Sequence, residues 1–284
     1  MDLTRQPPRR ATNLSLAGIV GAARMTDKAR AHNNGTTGEY LYGENSGLDA
    51  KVLELLGISD EDFAKAAGER DDEALQAWVL ENSSVTQAEI DAFNQRELSL
   101  EPPNEQYKQM LRDRLAKYAP GRTDITTVLQ SMQLDDWGSF WPVDLTVGPP
   151  RSPHSKDVAG CHGVARMADK ARAARAGKIG EYKYGEDSGQ DRRILEFLGV
   201  SEGDFQEAAV NNPNDVEIGD WVLEQSGKGA DEIAAFNERM ANWGPEDDSS
   251  RAYFEKRLQE VAPSRTDIKT WGALQDVDDK LSFE

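Results

Sequence analysis

The chain repeats itself, and this internal repeat constrains the fold more than any other feature of the sequence. Short motifs of the first half return in the second half in the same order, with one inserted residue near Pro213. The recurring motifs, first copy then second, are Asp2-Leu3-Thr4 and Asp144-Leu145-Thr146, Pro7-Pro8-Arg9 and Pro149-Pro150-Arg151, Gly38-Glu39-Tyr40 and Gly180-Glu181-Tyr182, and Arg122-Thr123-Asp124 and Arg265-Thr266-Asp267. The period is far longer than the roughly 20–50 residues of solenoid units, so it predicts two globular copies of one domain.

The domain boundaries follow from the repeat. We predict a first helical repeat over residues 1–136, an aromatic linker over 137–143 and a second helical repeat over 144–284. Trp137, Phe140 and Trp141 make this linker hydrophobic, so we expect it to pack between the halves. The two halves would then form a pseudo-symmetric pair, and a single chain could act as a monomer.

Composition limits the classes of partner. Hydrophobic residues make up 38% of the 284 residues and charged residues 30%, which predicts packed cores in a soluble, cytoplasmic protein without a membrane span. The formal charge of −18 opposes binding to nucleic acid or to anionic membranes. One cysteine, Cys161, and three scattered histidines do not supply a zinc site, so we expect no metal and a cofactor-independent protein.

The hydrophobic pattern of each copy is mainly α-helical. Leu16, Val20, Ala23 and Asp27 fall within an arc of roughly 40° at about 100° per residue, which predicts a helix over residues 13–33. Further helix starts are indicated by the pairs Ser46 and Asp49, Ser59 and Asp62, and Thr86 and Glu89, which we interpret as helix caps. The segment 38–43 alternates tyrosines between glycines and predicts an ordered loop or small hairpin. The expected fold is a compact multi-helix domain, present twice.

These motifs resemble a bacterial family known only as a domain of unknown function, number five-zero-six-nine in that series. The resemblance rests on Asp2-Leu3-Thr4, the segment from Ala23 to Arg30, Gly38-Glu39-Tyr40, and the segment from Leu53 to Gly57. It covers most of each copy, whereas usual members of the family look like single domains. A partner surface could therefore be internalised here. The resemblance implies no activity and no catalytic residue.

The predicted first helix carries the most unusual charges. Asp27 and its counterpart Asp169 continue the apolar stripe, so we interpret them either as pocket carboxylates that act as a general base or cation ligand, or as structural ion pairs that tie the helix to its neighbours. Arg24 and Arg30 are the arginines near Asp27 in the sequence. Beside the aspartates, Arg24 and Lys28 lie four residues apart and could hold a carboxylate or phosphate, as could Arg166 and Lys170. The alternative is a solvated, charge-paired edge.

A glycine-bounded loop supplies the other candidate residues. Glu39 and Tyr40 could transfer protons and Tyr42 could contact a ligand, unless both tyrosines simply cover the core. The second-copy equivalents are Glu181, Tyr182 and Tyr184. His162 aligns with Val20, so any catalytic role would belong to the second half alone, and core packing is the alternative. Cys161 aligns with Ile19, which favours packing over nucleophilic catalysis.

Two functions are consistent with these residues. The first is a small-molecule-binding protein, or an acid/base enzyme without a cofactor, that acts on an anionic metabolite. The second is a non-catalytic helical interaction module with an internalised pseudo-dimer interface. A deep pocket lined by Asp27, Arg24 and the tyrosines would favour the first function. A flat surface on which these residues are tied in ion pairs would favour the second.

Overall fold

A computed structural model describes residues 1–140 and 143–283, and it divides the chain into two compact units, Met1–Phe140 and Trp141–Glu284. The described residues of each unit form seven α-helices and one short 3₁₀ helix, in the same order in both units, and they contain no strand. The mainly α-helical fold and its tandem duplication are therefore confirmed. The segment 38–43 is a loop rather than a hairpin.

The helices of the first unit follow closely on one another along the chain. They are α1 (Ala22–Asn33), α2 (Gly47–Leu56), α3 (Asp60–Glu69), α4 (Asp72–Asn82), α5 (Gln87–Leu98), α6 (Glu105–Tyr118) and α7 (Val128–Phe140), with the 3₁₀ helix Gly43–Asn45 before α2. Those of the second unit are α8 (Val164–Arg175), α9 (Gly189–Leu198), α10 (Glu202–Asn211), α11 (Asp215–Ser226), α12 (Ala230–Ala241), α13 (Asp248–Val261) and α14 (Trp271–Phe283), with the 3₁₀ helix Gly185–Asp187 before α9.

The central helix α1 is shorter than predicted. Residues 13–21 form turns, and Gly18 and Gly21 adopt positive φ angles of 67° and 84°, which do not fit a right-handed helix. The predicted helix over 13–33 was therefore wrong at its start. Leu16 and Val20 are nevertheless fully buried, because the turns fold their side chains onto the same core that the stripe of α1 contacts.

Helix α1 is almost completely buried, including its charged residues. It packs mainly against α3, while α6 and α7 form a helical pair that is joined to α1 through the ion pair of Arg24 with Asp136. The equivalent helix α8 packs against α10, and α13 pairs with α14. Charged side chains on such a helix need partners within the protein, since an unpaired buried charge is costly. This requirement organises the candidate site.

Helix starts follow the predicted capping chemistry with one exception. The Ser59 hydroxyl accepts a hydrogen bond from the backbone of Asp62, and Thr86 and Glu89 form a reciprocal capping box. Ser46 stands at the N-cap of α2 without making a side-chain cap. Interpreting Asp49 as part of a cap was wrong, because its carboxylate is buried and pairs with Lys28.

The predicted linker over 137–143 overlaps a helix. Helix α7 continues to Phe140, so Trp137 and Phe140 belong to the last helix of the first unit. The remaining aromatic residue of the predicted linker, Trp141, lies outside the described residues together with Pro142. The packing of the linker between the halves stays a prediction. Within the described ranges, every helix is too short or too polar to cross a membrane.

Candidate functional site

Each unit contains a cavity beside its buried central helix. The cavity of the first unit, about 340 Å³, lies between α1, the loop that precedes α2, and the pair α6 and α7. Its wall includes the predicted residues Arg24, Lys28, Glu39 and Tyr40. The cavity of the second unit, about 520 Å³, has the equivalent residues Arg166, Lys170, Glu181 and Tyr182 in its wall. Eight of the predicted site residues thus lie together around two matching cavities.

A buried arginine forms one part of the cavity wall. The Arg24 guanidinium donates to both carboxylate oxygens of Asp136 on α7, at 2.5 and 3.0 Å, and lies 5.4 Å from the centre of the Tyr40 ring. The Tyr40 hydroxyl donates to the same carboxylate at 2.9 Å. This bidentate pair orients the guanidinium and ties α7 to α1. It also leaves the charge of Arg24 neutralised by its own protein partner.

The second unit repeats this arrangement. Arg166 donates to Asp279 at 2.6 and 3.2 Å, and the Tyr182 hydroxyl donates to that carboxylate at 2.9 Å. The guanidinium lies 5.5 Å from the centre of the Tyr182 ring. The geometry of the arginine, aspartate and tyrosine is therefore the same in the two copies.

A buried lysine forms the second part of the wall. The Lys28 ammonium contacts Asp49 of α2 at 2.6 Å and donates to the Leu41 carbonyl and the Ser46 hydroxyl at 3.1 and 2.9 Å. Asp49 also accepts a hydrogen bond from the Gly43 backbone at 3.2 Å. The ammonium has three donors, and three partners surround it. The loop that borders the cavity is thus held in place by the lysine.

The matching lysine of the second unit has the same set of partners. Lys170 contacts Asp191 at 2.7 Å, the Lys183 carbonyl at 3.0 Å and the Ser188 hydroxyl at 3.1 Å. The Gly185 backbone donates to Asp191 at 3.0 Å. The same contacts between the loop, the lysine and the aspartate are therefore present in both copies.

Burial shifts the protonation of these pairs. It lowers the pKa of Lys28, against the charge of Asp49, and the positive charge of Arg24 lowers it further. Burial raises the pKa of Asp49, and Lys28 opposes this only in part. The pKa of Tyr40 is raised by burial and by the nearby Asp136. Burial thus moves both the lysine and the aspartate toward their neutral forms.

Asp27 lies in a different part of the first unit, outside the cavity wall. Its carboxylate accepts from the backbone of Arg9 at 2.8 Å and from the Arg9 guanidinium at 2.8 to 3.1 Å, and Asp27 is only 1% exposed. Arg9 and Arg30 both also contact Asp72 at the start of α4. Successive helix positions explain the separation, because Arg24 and Lys28 are about 40° apart around the axis whereas Asp27 and Lys28 are about 100° apart.

Asp169 has equivalent contacts in the second unit. Arg151 donates to it from its backbone at 3.0 Å and from its guanidinium at 2.8 and 2.9 Å, and also contacts Asp215 at the start of α11. The expected arginine contact of Asp27 and Asp169 is confirmed. In both units the arginine with the shortest contact, Arg9 or Arg151, comes from the segment before the helix. This network joins the N-terminal segment to two helices and supports a structural role.

The remaining predicted residues also lie outside the cavity walls. Tyr42 and Tyr184 pack against the cores and donate to the carbonyls of Asp60 and Glu202, so they cover the core as the simpler interpretation proposed. His162 is buried, with its Nε2 3.1 Å from Nδ1 of His154. Burial, together with the charges of His154 and Lys156, lowers the pKa of His162 to about 4. Cys161 is buried in the core, and burial raises its pKa to about 12.

Sequence reasoning missed the carboxylates that complete the site. Asp49 was interpreted only as a residue of a helix start, Asp191 was given no role, and Asp136 was placed at the edge of a linker. The repeat could have identified these carboxylates. Asp135-Asp136 recurs as Asp278-Asp279, and Asp49 recurs as Asp191. The arginine of the recurring Pro7-Pro8-Arg9 motif was quoted without a role. Each is far along the chain from its partner, so local spacing did not connect them.

Comparison with known proteins identifies the family of the chain but no function. No curated protein sequence matches it. A family model described as a domain of unknown function, DUF5069, matches residues 5–137 and again residues 147–281. The two matches together cover most of the chain and coincide with the two structural units. The chain therefore belongs to the DUF5069 family and contains two tandem copies of its domain.

Proposed function

We propose that each unit binds a small polar molecule in the cavity beside its central helix. The observation that carries this proposal is the recurrence of two adjacent buried ion pairs, Arg24 with Asp136 and Lys28 with Asp49, beside a cavity in both copies. Arg24, Lys28 and Asp136 line the first cavity, and Asp49 lies behind Lys28; the second unit has the equivalent arrangement. Buried pairs are a weak source of stability, because removing two ions from water offsets most of their attraction. Their position around a cavity is more useful for orienting a ligand than for holding the fold.

The acid/base role shifts to different residues in this proposal. Lys28 and Asp49 replace Asp27 as the groups that would exchange a proton, since burial moves both toward their neutral forms. Tyr40 stands in the same wall and keeps its proton, because its pKa is raised. It would act as a hydrogen-bond donor to a ligand. Lys170, Asp191 and Tyr182 would have the same roles in the second unit.

The ligand's charge is a separate question. An anion was expected because Arg24 and Lys28 lie side by side, and this stays a prediction. Both cations already face a carboxylate, and three acidic and three basic side chains line the first cavity. An anion would have to compete with Asp136 and Asp49 for these donors. A neutral or zwitterionic molecule avoids that competition, so we favour it for the first unit.

Cavity-blocking variants test the proposal without disturbing the ion pairs. Gly47 and Gly189 stand at the cavity walls at the starts of α2 and α9, and a side chain at Gly47 would enter open space. We expect Gly47→Phe and Gly189→Phe together to abolish the rise in melting temperature that a metabolite panel produces in the natural chain. Gly148→Phe is the matched control, because it also enters open space and lies outside both cavity walls.

The same experiment distinguishes the alternative function. The interaction module is supported by the ion pairs themselves, since every basic side chain just described is paired within its own unit. A module of this kind would use its outer surface and need no open cavity. Stabilisation by metabolites that persists in the doubly blocked chain, or its absence from the natural chain across the panel, would reject cavity binding.

A further inference from the structure

The two cavities differ in the residues around their shared ion pairs. The positions correspond through the repeat, and a hydrogen bond fixes the register: the Val128 backbone donates to Leu100, and the Trp271 backbone donates to Trp243, both at 2.9 Å. Aromatic residues of the second unit therefore replace aliphatic residues of the first. Met110 likewise corresponds to Tyr253. The first copy is aliphatic at these three positions and the second is aromatic, although the first cavity also has Tyr107 where the second has Ser250.

The aromatic wall of the second cavity consists of three neighbouring rings. The Trp243 and Trp271 ring centres are 6.0 Å apart, and those of Tyr253 and Trp271 are 6.1 Å apart. The guanidinium of Arg193 lies 4.6 Å from the centre of the Trp243 ring, so this wall already contacts one cation through a ring face. Tyr253 is 59% exposed, which leaves ring surface open toward the cavity mouth.

The second cavity is also more acidic than the first. Six acidic and four basic side chains line it, compared with three of each in the first cavity. Asp187 and Glu246 replace Asn45 and Pro103 of the first copy. Asp187 is exposed and makes no hydrogen bond or ion pair with any residue in the described ranges. Its charge is therefore available to a ligand.

Two amide side chains in this wall have an unused acceptor. The side-chain oxygens of Gln190 and Gln275 are buried and lack a hydrogen-bond partner among residues 1–140 and 143–283. Gln190 is 3% exposed, and its amide nitrogen donates to the Pro153 carbonyl. The first copy has Leu48 and Met132 at these two positions. Both oxygens are buried away from the open space of the cavity, so they make the wall more polar than that of the first unit without contacting a ligand directly.

We propose that the cavity of the second unit binds a small organic cation, an amine or guanidinium compound with an apolar or aromatic body. This inference rests on the proposed function and adds the class of ligand for one of the two cavities. The rings would pack on the body and on the cationic group, while the exposed carboxylate of Asp187 accepts its N–H donors. An inorganic cation would leave the aromatic wall without a role.

Three probes of the same skeleton test the inference: 2-phenylethylamine, the neutral 2-phenylethanol and the anionic phenylacetate. Binding to the full chain is followed by the six tryptophan indole N–H signals in NMR spectra, with Trp243 and Trp271 assigned from Trp243→Leu and Trp271→Val. We expect 2-phenylethylamine to shift these two signals with a Kd of about 1 mM, as befits roughly nine non-hydrogen atoms. The neutral probe should bind about tenfold more weakly, and phenylacetate not measurably.

Variants taken from the first copy test the residues involved. Trp271→Val should weaken 2-phenylethylamine binding at least about tenfold, followed at the Trp243 signal. Asp187→Asn changes an exposed side chain without contacts, so it preserves the fold, and should weaken binding about threefold. Glu224→Gln, an exposed change of the same charge on α11, should leave the Kd unchanged.

The outcomes separate this inference from the proposed function. Equal or tighter binding of 2-phenylethanol or phenylacetate at Trp243 and Trp271 would overturn the inference that the ligand is a cation. The proposal that the cavity binds a small polar molecule would still stand. Failure of 2-phenylethylamine to shift either signal would also overturn the inference of a cationic ligand. So would an unchanged affinity for 2-phenylethylamine in both Trp271→Val and Asp187→Asn. The proposed function is judged independently by the variants at Gly47 and Gly189.

Discussion

Replacing Asp27 by asparagine removes the central charge of a buried network while keeping the size of the side chain. Arg9 is 2% exposed and directs its backbone N–H and both sides of its guanidinium at Asp27. Removing one partner of a buried pair costs about 3–5 kcal/mol, because the other charge stays buried. Asp72 still accepts from Arg9, which places the expected loss near the lower limit, at about 3 kcal/mol.

The second copy gives an internal comparison for this prediction. Asp169 and Arg151 are more accessible, with side chains 10% and 16% exposed, so water can partly replace the lost charge. Arg172 also contacts Asp169, at 3.5 Å, and keeps two carbonyl partners, so we expect Asp169→Asn to cost about 2 kcal/mol, less than Asp27→Asn. Asp72→Asn should cost less than about 1 kcal/mol, because Asp72 is 39% exposed and Arg9 keeps Asp27.

Urea unfolding of the three variants measures these differences, with circular dichroism to follow the helices. For a unit of this size about 3 kcal/mol corresponds to a fall in melting temperature of roughly 10 °C. The double variant Arg9→Met, Asp27→Leu removes both charges and should recover most of the loss. A loss below about 1 kcal/mol in Asp27→Asn, or a double variant no more stable than the single one, would refute the structural role of Asp27.

Three further predictions concern the buried groups of the molecule. Burial lowers the pKa of His162 in the folded chain to about 4. Between about pH 6.5 and 4 the unfolded chain therefore binds a proton at this residue that the folded chain does not, and the free energy of unfolding should fall as the pH is lowered through that range. His162→Val should remove that part of the pH dependence, as judged by urea titrations at each pH. Cys161, whose pKa is raised to about 12 by burial, should resist iodoacetamide at pH 7.5 in the folded chain and react after unfolding in urea, as mass spectrometry would report. Replacing both Lys28 and Asp49 by Met and Leu should change stability by less than about 2 kcal/mol, whereas Lys28→Met alone should cost more, because it leaves a buried carboxylate without its cation.

The fold was more accessible to sequence reasoning than the site. The repeat established the number of domains, and apolar periodicity with capping pairs such as Thr86 and Glu89 located most helices. The start of α1 was misplaced because the buried Leu16 and Val20 continue a helical stripe, although Gly18 and Gly21 turn the chain there. Glycine in the left-handed region interrupts a helix without changing the apolar pattern, so periodicity alone did not reveal the boundary.

The site could be predicted only in part, because its ion pairs join distant segments. Arg24, Lys28, Glu39 and Tyr40 were selected from local spacing, and all four line one cavity. The partner of Arg24 is 112 residues away in the chain, and spacing carries no information over that range. Asp27 was grouped with Arg24 because they are neighbours in sequence, whereas its position around the helix gives it other partners. The carboxylates follow from tertiary structure.

Comparison of the two copies separates what the fold needs from what a ligand would need. The ion pairs of Lys28 and Lys170 occur in both units with nearly equal distances, and so do those of Arg24 and Arg166. The shared pairs alone are compatible with a structural or a binding role, and it is their position beside a cavity in both units that supports binding. The surrounding wall is different, since Trp271 of the second unit stands where the first has Val128.

The residues that differ in the wall of the second cavity are not those that folding alone would favour. Folding alone would favour filling the wall with apolar side chains that satisfy one another, as Val128 and Met132 of the first unit do. The second unit instead has the exposed carboxylate Asp187, without a partner in the described part of the chain, and the Tyr253 ring, which is 59% exposed. Water hydrates such groups in an empty cavity, so they add little to stability, whereas a ligand with a cationic group and an apolar body would contact both. Divergence of this kind is expected when one copy has acquired a ligand of its own.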